Sequence, residues 1–499
     1  MTRLPVRLDP RPPALRIHHI LVPALLGALA VAGFAPLGAW PLTLLSLAVL
    51  FGWLADAPAR TAFLAGWSYG LGLFLTGVSW IFISLSTYGG LPAIPAALAT
   101  LVFCAFIALY PGLALMLASW LTPAGRARTT LALPAAWALL EWVRGWFLTG
   151  FPWLALGYSQ VPDSPLAGFA PVLGVYGVGL VLALVAGLFA SRRPNLITLG
   201  VLFLVAGHGL QRLDWTRPAG APVSVALIQG NVSQEMKFRP EKIVQAMADY
   251  ARRVEASAAR LVILPETAVP LLRSNVPAGY LERLTEHRRQ AGGDLLLGLA
   301  EDTAAGDYYN AVLSLGVSGE GQYRKHHLVP FSEFVPFGFR WLVDRLIMPL
   351  GDFSRGAADQ AAIAAAGERL AVNVCYEDAF GEERVHAARQ ATLLVNVSND
   401  AWFGRSLSPR QHLQIGAMRS LEAGRWQLRA NNTGITAILD EKGRVRAELP
   451  AFTQGTLTGL AQGHSGLTPF LRWGNLPALA IILLLLSAAC LPAKNRVRP

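Results

Sequence analysis

Long apolar runs dominate the first 210 positions of the chain and then give way to short alternating elements. The runs are Ile17–Pro36, Trp40–Ala55, Thr61–Leu85, Ile94–Leu121, Leu131–Phe147, Leu166–Ala190 and Leu196–Leu210. About 20 apolar residues suffice to cross a bilayer as a helix. Thr61–Leu85 and Ile94–Leu121 are long enough to span with tilt. Leu131–Phe147 is short and carries Glu141 and Arg144. One further run, Leu476–Leu491, lies near the end of the chain. The expectation is a seven-helix membrane domain over residues 1–215, a polar domain over 222–465, and a last membrane helix with its tail over 470–499.

From Pro222 onward, hydrophobic strands alternate with amphipathic helices. VSVALIQGN, LVILPE, DLLLGLAE, LAVNVCYED and TLLVNVSND read as strands, and QLRANNTGITAILD reads as one strand. NAVLSLG and QYRKHHL read as a hairpin around Ser318–Gly321. Helices are expected over Pro240–Ala258, Gly279–Ala291, Glu382–Gln390 and Ser408–Ala423. Continuous Val/Ile/Leu runs indicate strands covered on both faces, so this is a layered α/β domain. Val329–Gly356 has little periodicity. It carries Phe331, Phe334, Phe337, Phe339, Trp341 and Phe353 with Arg340 and Arg345. So apolar an arm either dips into lipid or packs on its own domain.

Composition strengthens the membrane reading. Hydrophobic residues make up 53% and charged residues 15%, too apolar for a soluble chain. The net charge of +11 is not gathered into a nucleic-acid patch. Basic residues sit instead in alternate loops, at Arg3, Arg7, Arg11 and Arg16, at Arg60, at Arg126 and Arg128, and at Arg192 and Arg193. The tail adds Lys494, Arg496 and Arg498. The positive-inside rule puts these on the cytoplasmic side and the polar domain on the opposite, periplasmic face. The first segment reads as an anchor rather than a cleaved signal peptide. Glu141 and Arg144 share a helix face and fit equally a functional pair or a structural one near the interface. EWVRGWFLTGFPWLALGYSQ, dense in aromatics, reads as an interfacial or re-entrant segment.

Three strands run out onto one reactive side chain each: Glu266 after LVILP, Lys325 after QYR, and Cys375 within VCYED. Cys375 is the one cysteine of three outside an apolar run, so no disulfide framework is implied. A thiol attacks only as thiolate and needs a base or a positive charge nearby. Glu266 can take its proton, and Lys325 can hold the thiolate and then an oxyanion. Together they make up an acyl-transfer kit. His326 and His327, adjacent on an expected strand, point to opposite faces, so no metal site is expected.

The LPET, Lys325 and VCYED elements resemble the Glu-Lys-Cys elements of the nitrilase, or carbon–nitrogen hydrolase, superfamily. With the upstream and downstream spans, and with GWFLTGFPWLALGYSQ, IQGNVSQ, KHHLVPFSEFVPFG, NVSNDAWFG and RANNTGITA, the chain resembles the apolipoprotein N-acyltransferase family. That resemblance implies an αββα sandwich domain joined to a multi-span helical domain of the bacterial inner membrane. It implies ping-pong chemistry in which Cys375 takes an acyl chain from a phospholipid, preferably the sn-1 chain of phosphatidylethanolamine. The thioester then passes to the N-terminal amine of a diacylglyceryl-cysteine apolipoprotein. In this scheme Glu266 is the general base and Lys325 the oxyanion holder. Glu333 orients Lys325 or positions the acceptor, and Tyr376 and Glu377 shape the pocket. Phe238, Trp402 and Phe337 are candidate substrate contacts. Where the family often has a Lys-Trp pair this chain has Lys237-Phe238, so an indole N–H is missing there. A monomer without a cofactor is expected. The rival reading is a membrane-tethered amidase of nitrilase type, which would use the same three residues.

Overall fold

A computed structural model describes residues 17–234, 239–338, 340 and 352–491. Phe238, Phe339, Trp341 and Arg345 lie outside the described residues.

Each apolar run contains helix, but not always one unbroken span. Ala93–Leu121 and Pro165–Ala190 are long and apolar enough to cross a membrane by themselves. His18–Gly33, Trp40–Trp53, Pro194–Leu210 and Leu476–Cys490 are shorter apolar helices. The expected single span Thr61–Leu85 is broken: Ala59–Gly77 and Ile81–Tyr88 meet at a bend of 60°. The reason is tertiary. The Gly77 carbonyl accepts a hydrogen bond from Gln411 Nε2 at 2.9 Å, far along the chain. A Cβ at Gly77 would also strike the Leu154 side chain.

The helices close around a shared apolar core that includes Leu47, Phe51, Tyr69, Phe74 and Trp137. At one end of this bundle the basic loops meet. Arg128 is buried and donates to the carbonyls of Ala57 and Thr122, and Gly125 N–H donates to Ala55.

The polar region forms two large sheets, beside a two-stranded pair of Arg217–Pro218 with His464–Ser465. One runs in the order Gly455–Ala461, Val223–Gln229, Leu261–Ile263, Asp294–Asp302, Tyr308–Gly316, Gly321–Arg324. The other runs Val445–Leu449, Thr436–Leu439, Gln427–Asn431, Leu393–Ser398, Glu368–Val374, Ile363–Ala365. Their inner faces share one core, with Val225, Leu227 and Ile263 against Val372, Val395 and Leu428. The outer face of the first sheet is covered by Pro240–Glu255 and Tyr280–Gln290 through Met247, Tyr250, Val254 and Leu284. The outer face of the second is covered by Gly381–Gln390 and Ser408–Ala423. This is an αββα sandwich, in which burial on both faces explains the unbroken apolar strands. QLRANNTGITAILD is not one strand. It turns at Asn432–Ile435 into an antiparallel pair, Gln427–Asn431 with Thr436–Leu439.

The Ser408–Ala423 helix belongs to both halves. Its residues are almost all buried, and Ile415, Met418 and Leu421 enter the core of the helical bundle. Arg419 and Glu422 pair at 3.1 Å, and Glu422 accepts from the Val175 N–H at 2.8 Å. That N–H is free to do so because Gly174, at φ 66°, kinks its helix.

Candidate active site

The strand Glu368–Val374 stops one residue before Cys375, which opens a tight helical turn over Cys375–Ala379. Glu377 in that turn is 1% exposed. Its carboxylate accepts from the Val374 N–H at 2.7 Å, from the His326 and His327 N–H groups at 2.8 and 3.0 Å, and from the Tyr323 hydroxyl at 2.9 Å. Glu377 therefore ties the turn of Cys375 to the loop carrying Lys325, its oxygens taken by three backbone N–H groups and the Tyr323 hydroxyl. His326 and His327 lie past the end of the Gly321–Arg324 strand, so strand alternation does not govern them.

Glu266 sits in the loop after Leu261–Ile263, and Lys325 directly follows Arg324. The Lys325 ammonium lies 2.9 Å from Glu333 and 3.7 Å from Glu266. All three are buried, Lys325 at 1% exposure. Burial by itself would lower the Lys325 ammonium. The charges of Glu333, then Glu266 and Cys375, reverse that and raise it, so it stays a cation. The Cys375 thiol is pushed up, first by burial and then by the charge of Glu266, while Lys325 pulls it down. A thiol so placed is protonated at rest. It becomes a nucleophile only by giving its proton away in the attack, and Glu266 is the base at hand.

Asn310 is a member of this cluster that sequence reasoning missed. Its amide donates to Glu266 at 2.8 Å and to Glu333 at 2.9 Å, and its carbonyl accepts from the Lys325 N–H. A signal existed: the hairpin register pairs Ala311 with Arg324, which places Asn310 opposite Lys325. Glu333 was expected to orient Lys325 or to position the acceptor, and its place beside the ammonium fits the first.

The bundle reaches the turn of Cys375 through the aromatic stretch. Glu141 and Arg144 stand 3.8 Å apart. Arg144 donates to the carbonyls of Phe151 and Trp153, and Glu141 accepts from the Leu156 N–H at 3.0 Å. The pair thus shapes the loop 150–156. Trp153 stacks toward Tyr376 with centroids 6.4 Å apart, and the Tyr376 hydroxyl donates to the Gly150 carbonyl at 3.2 Å. The stretch is not uniformly interfacial: Trp153–Val161 is buried, with Trp153, Leu156 and Tyr158 in the core of the bundle, and only the tip Trp146–Leu148 is exposed.

Trp402 is half-buried and faces Tyr88 of the bundle at 5.9 Å. Phe337 is fully exposed on the arm, so the arm does not bury this ring in its own domain.

Residues 26–188 match the apolipoprotein N-acyltransferase N-terminal domain, and residues 224–464 match the carbon-nitrogen hydrolase family. The chain is 48% identical over 482 residues to an apolipoprotein N-acyltransferase of Nitrosomonas europaea, covering 94% of this chain and 96% of that one. It is 46% identical over 481 residues to that of Ralstonia nicotianae, covering 93% and 92%. With that of Methylococcus capsulatus it shares 45% over 475 residues, covering 91% and 92%. With both halves matched and relatives aligned along almost the whole length, the chain belongs to the apolipoprotein N-acyltransferase family.

Proposed function

We propose that this acyltransferase moves an acyl chain from a phospholipid to the N-terminal amine of a diacylglyceryl-cysteine apolipoprotein, by way of a thioester on Cys375. The observation that carries the reading is the buried cluster of Cys375, Glu266 and Lys325 set against the aromatic loop of an apolar helical bundle.

In the first half-reaction Sγ of Cys375 attacks the ester carbonyl while Glu266 takes the thiol proton. The Lys325 ammonium faces the oxyanion of the tetrahedral intermediate. The intermediate collapses, the C–O bond breaks, and Glu266 returns the proton to the leaving lysophospholipid oxygen. In the second half the acceptor amine attacks the thioester. Glu266 takes the amine proton, the C–S bond breaks, and Glu266 returns that proton to the leaving sulfur, restoring the thiol. Glu333 and Asn310 hold Lys325 and Glu266 in register throughout. Phosphatidylethanolamine is the proposed donor.

The domain is proposed to face the periplasm. The basic loops near Ala57 and Arg128 meet at one end of the Ala59–Gly77 helix, and the domain contacts its other end through Gly77 and Trp80. A helix of 19 residues is about 28 Å long, close to the thickness of a hydrocarbon core. The enzyme is proposed to act as a monomer.

Incubation with phosphatidylethanolamine and no acceptor should add one acyl mass to the peptide bearing Cys375. Cys375→Ala should carry none. An unmodified Cys375 peptide under these conditions rules out the thioester route.

A further inference from the structure

Cys375 has a φ of 53°, in the left-handed region that non-glycine residues seldom adopt. Such a backbone is strained and persists only where its surroundings hold it. The Cys375 carbonyl shows what does the holding. It lies 3.2 Å from Asn396 Nδ2 and 3.2 Å from His412 Nε2. Asn396 is itself fixed, donating to Asn373 Oδ1 on the neighbouring parallel strand at 2.9 Å.

His412 is 2% exposed, and its other nitrogen, Nδ1, lies 3.0 Å from Asp400 Oδ1. Asp400 is 1% exposed and takes the Asn431 amide on Oδ2 at 2.7 Å. Burial alone would raise its carboxyl. His412, and after it Arg429 and Asn431, outweigh that and hold it below the usual range. Asp400 Oδ1 also accepts from the Ser398 hydroxyl at 3.2 Å, so both carboxyl oxygens serve as acceptors.

An imidazole between a carboxylate and a carbonyl has an acceptor on each side. A neutral ring has one N–H, so one nitrogen would present a lone pair to an oxygen. Both contacts are hydrogen bonds only when both nitrogens carry protons. The charged and titratable groups around the ring are Asp400 at Nδ1, Arg429 beyond it, and the Cys375 thiol, with Glu266 and Lys325 across the thiol. Trp153, 5.8 Å from the ring, closes the side toward the bundle without adding a charge.

We propose that Asp400 and His412 are a positioning pair for the nucleophile. Asp400 holds the His412 ring at Nδ1, and His412 donates from Nε2 to the Cys375 carbonyl so that Sγ faces Glu266 and Lys325. This deepens the acyl-transfer reading and rests on it. The residue before His412 gives the pair its second consequence. Gln411 accepts from the Trp80 and Trp153 indoles at 3.2 and 2.8 Å and donates to the Gly77 carbonyl. One helical turn thus grips both the bundle and the nucleophile, so the seat of the domain on the bundle bears directly on Cys375.

The test uses full-length enzyme in detergent with phosphatidylethanolamine micelles. His412→Leu should slow acyl-enzyme formation about 100-fold at saturating phospholipid, the order expected for a misplaced reacting atom, with KM nearly unchanged. Asp400→Asn should recover most of that rate, because Asn can donate to Nδ1 of a neutral ring that still donates from Nε2. Nitrogen-15 histidine spectra should show a proton on His412 Nε2 in the native enzyme and in Asp400→Asn. A native His412 whose Nε2 carries no proton, or a folded His412→Leu enzyme of normal rate, overturns the proposal. The native spectrum decides even if His412→Leu does not fold. A native enzyme that forms no thioester defeats the acyl-transfer reading and leaves the spectrum to judge the hydrogen bonding.

Discussion

Two buried clusters of opposite charge stand in the two halves of this protein, and they are built differently. In the bundle, Glu141 and Arg144 direct their polar atoms at backbone: the carbonyls of Phe151 and Trp153 and the N–H of Leu156. All of those partners lie within 15 residues along the chain. In the sandwich, Lys325, Glu266 and Glu333 face one another and Cys375, arriving from separate strand ends. Burial is similar in both, at 6% and 2% for the first pair and 8%, 1% and 7% for Glu266, Lys325 and Glu333. Burial therefore does not mark the reactive cluster. The marker is what the charges face beyond their own pairing: backbone in the first cluster, which makes a shape, and the Cys375 thiol in the second, which readies a proton transfer.

The sharpest way to break this contrast is to remove charges one at a time. Glu266→Gln and Lys325→Met should each cut turnover by about 10²–10⁴, the usual worth of a general base or an oxyanion donor. Their effects on the resting thiol should have opposite signs. Glu266 pushes the Cys375 thiol up, so Glu266→Gln should speed its alkylation by iodoacetamide at fixed pH. Lys325 pulls the thiol down, so Lys325→Met should slow it. Shifts of the same sign would mean that the two charges do not act on Cys375 as a pair.

Arg144→Met should act on stability instead. It leaves Glu141 buried without its partner, a loss of about 3–5 kcal/mol by precedent for broken buried pairs. The melting temperature should fall, while the folded fraction keeps turnover within a few-fold of native. A normal melting temperature with lost turnover would move this pair to the side of the chemistry.

The smallest effect tests the seam between the halves. Tyr376→Phe removes the hydroxyl that reaches the Gly150 carbonyl and keeps the ring beside Trp153. One such bond contributes about 0.5–1.5 kcal/mol. A loss of turnover beyond about tenfold would give the hydroxyl a part in the reaction itself.

Much of the candidate site was legible because strand ends are local features. A run of apolar residues that stops at Glu266, Lys325 or Cys375 announces both the strand and what it carries. Asn310 was legible in principle, through the hairpin register, yet a lone Asn inside a strand gives no sign of its own. Asp400 lay in the quoted NVSNDAWFG stretch and His412 in a helix whose bounds were expected, but their partnership spans two elements and the Cys375 backbone. The break after Gly77 was hidden for the same reason. The residue that captures its carbonyl, Gln411, is 334 positions away.

The sequence by itself determined what depends on neighbours along the chain. That covers the apolar helices, the covered strands, the basic loops on alternate turns of the path, and three reactive side chains at strand ends. Only the tertiary structure decided which charges meet, why one expected span is broken, and how the Ser408–Ala423 helix joins bundle to nucleophile. The physical reason is that periodicity and turn chemistry act over a few residues. A buried hydrogen bond is satisfied by whatever group the fold brings within 3 Å, and its partners leave no trace in spacing.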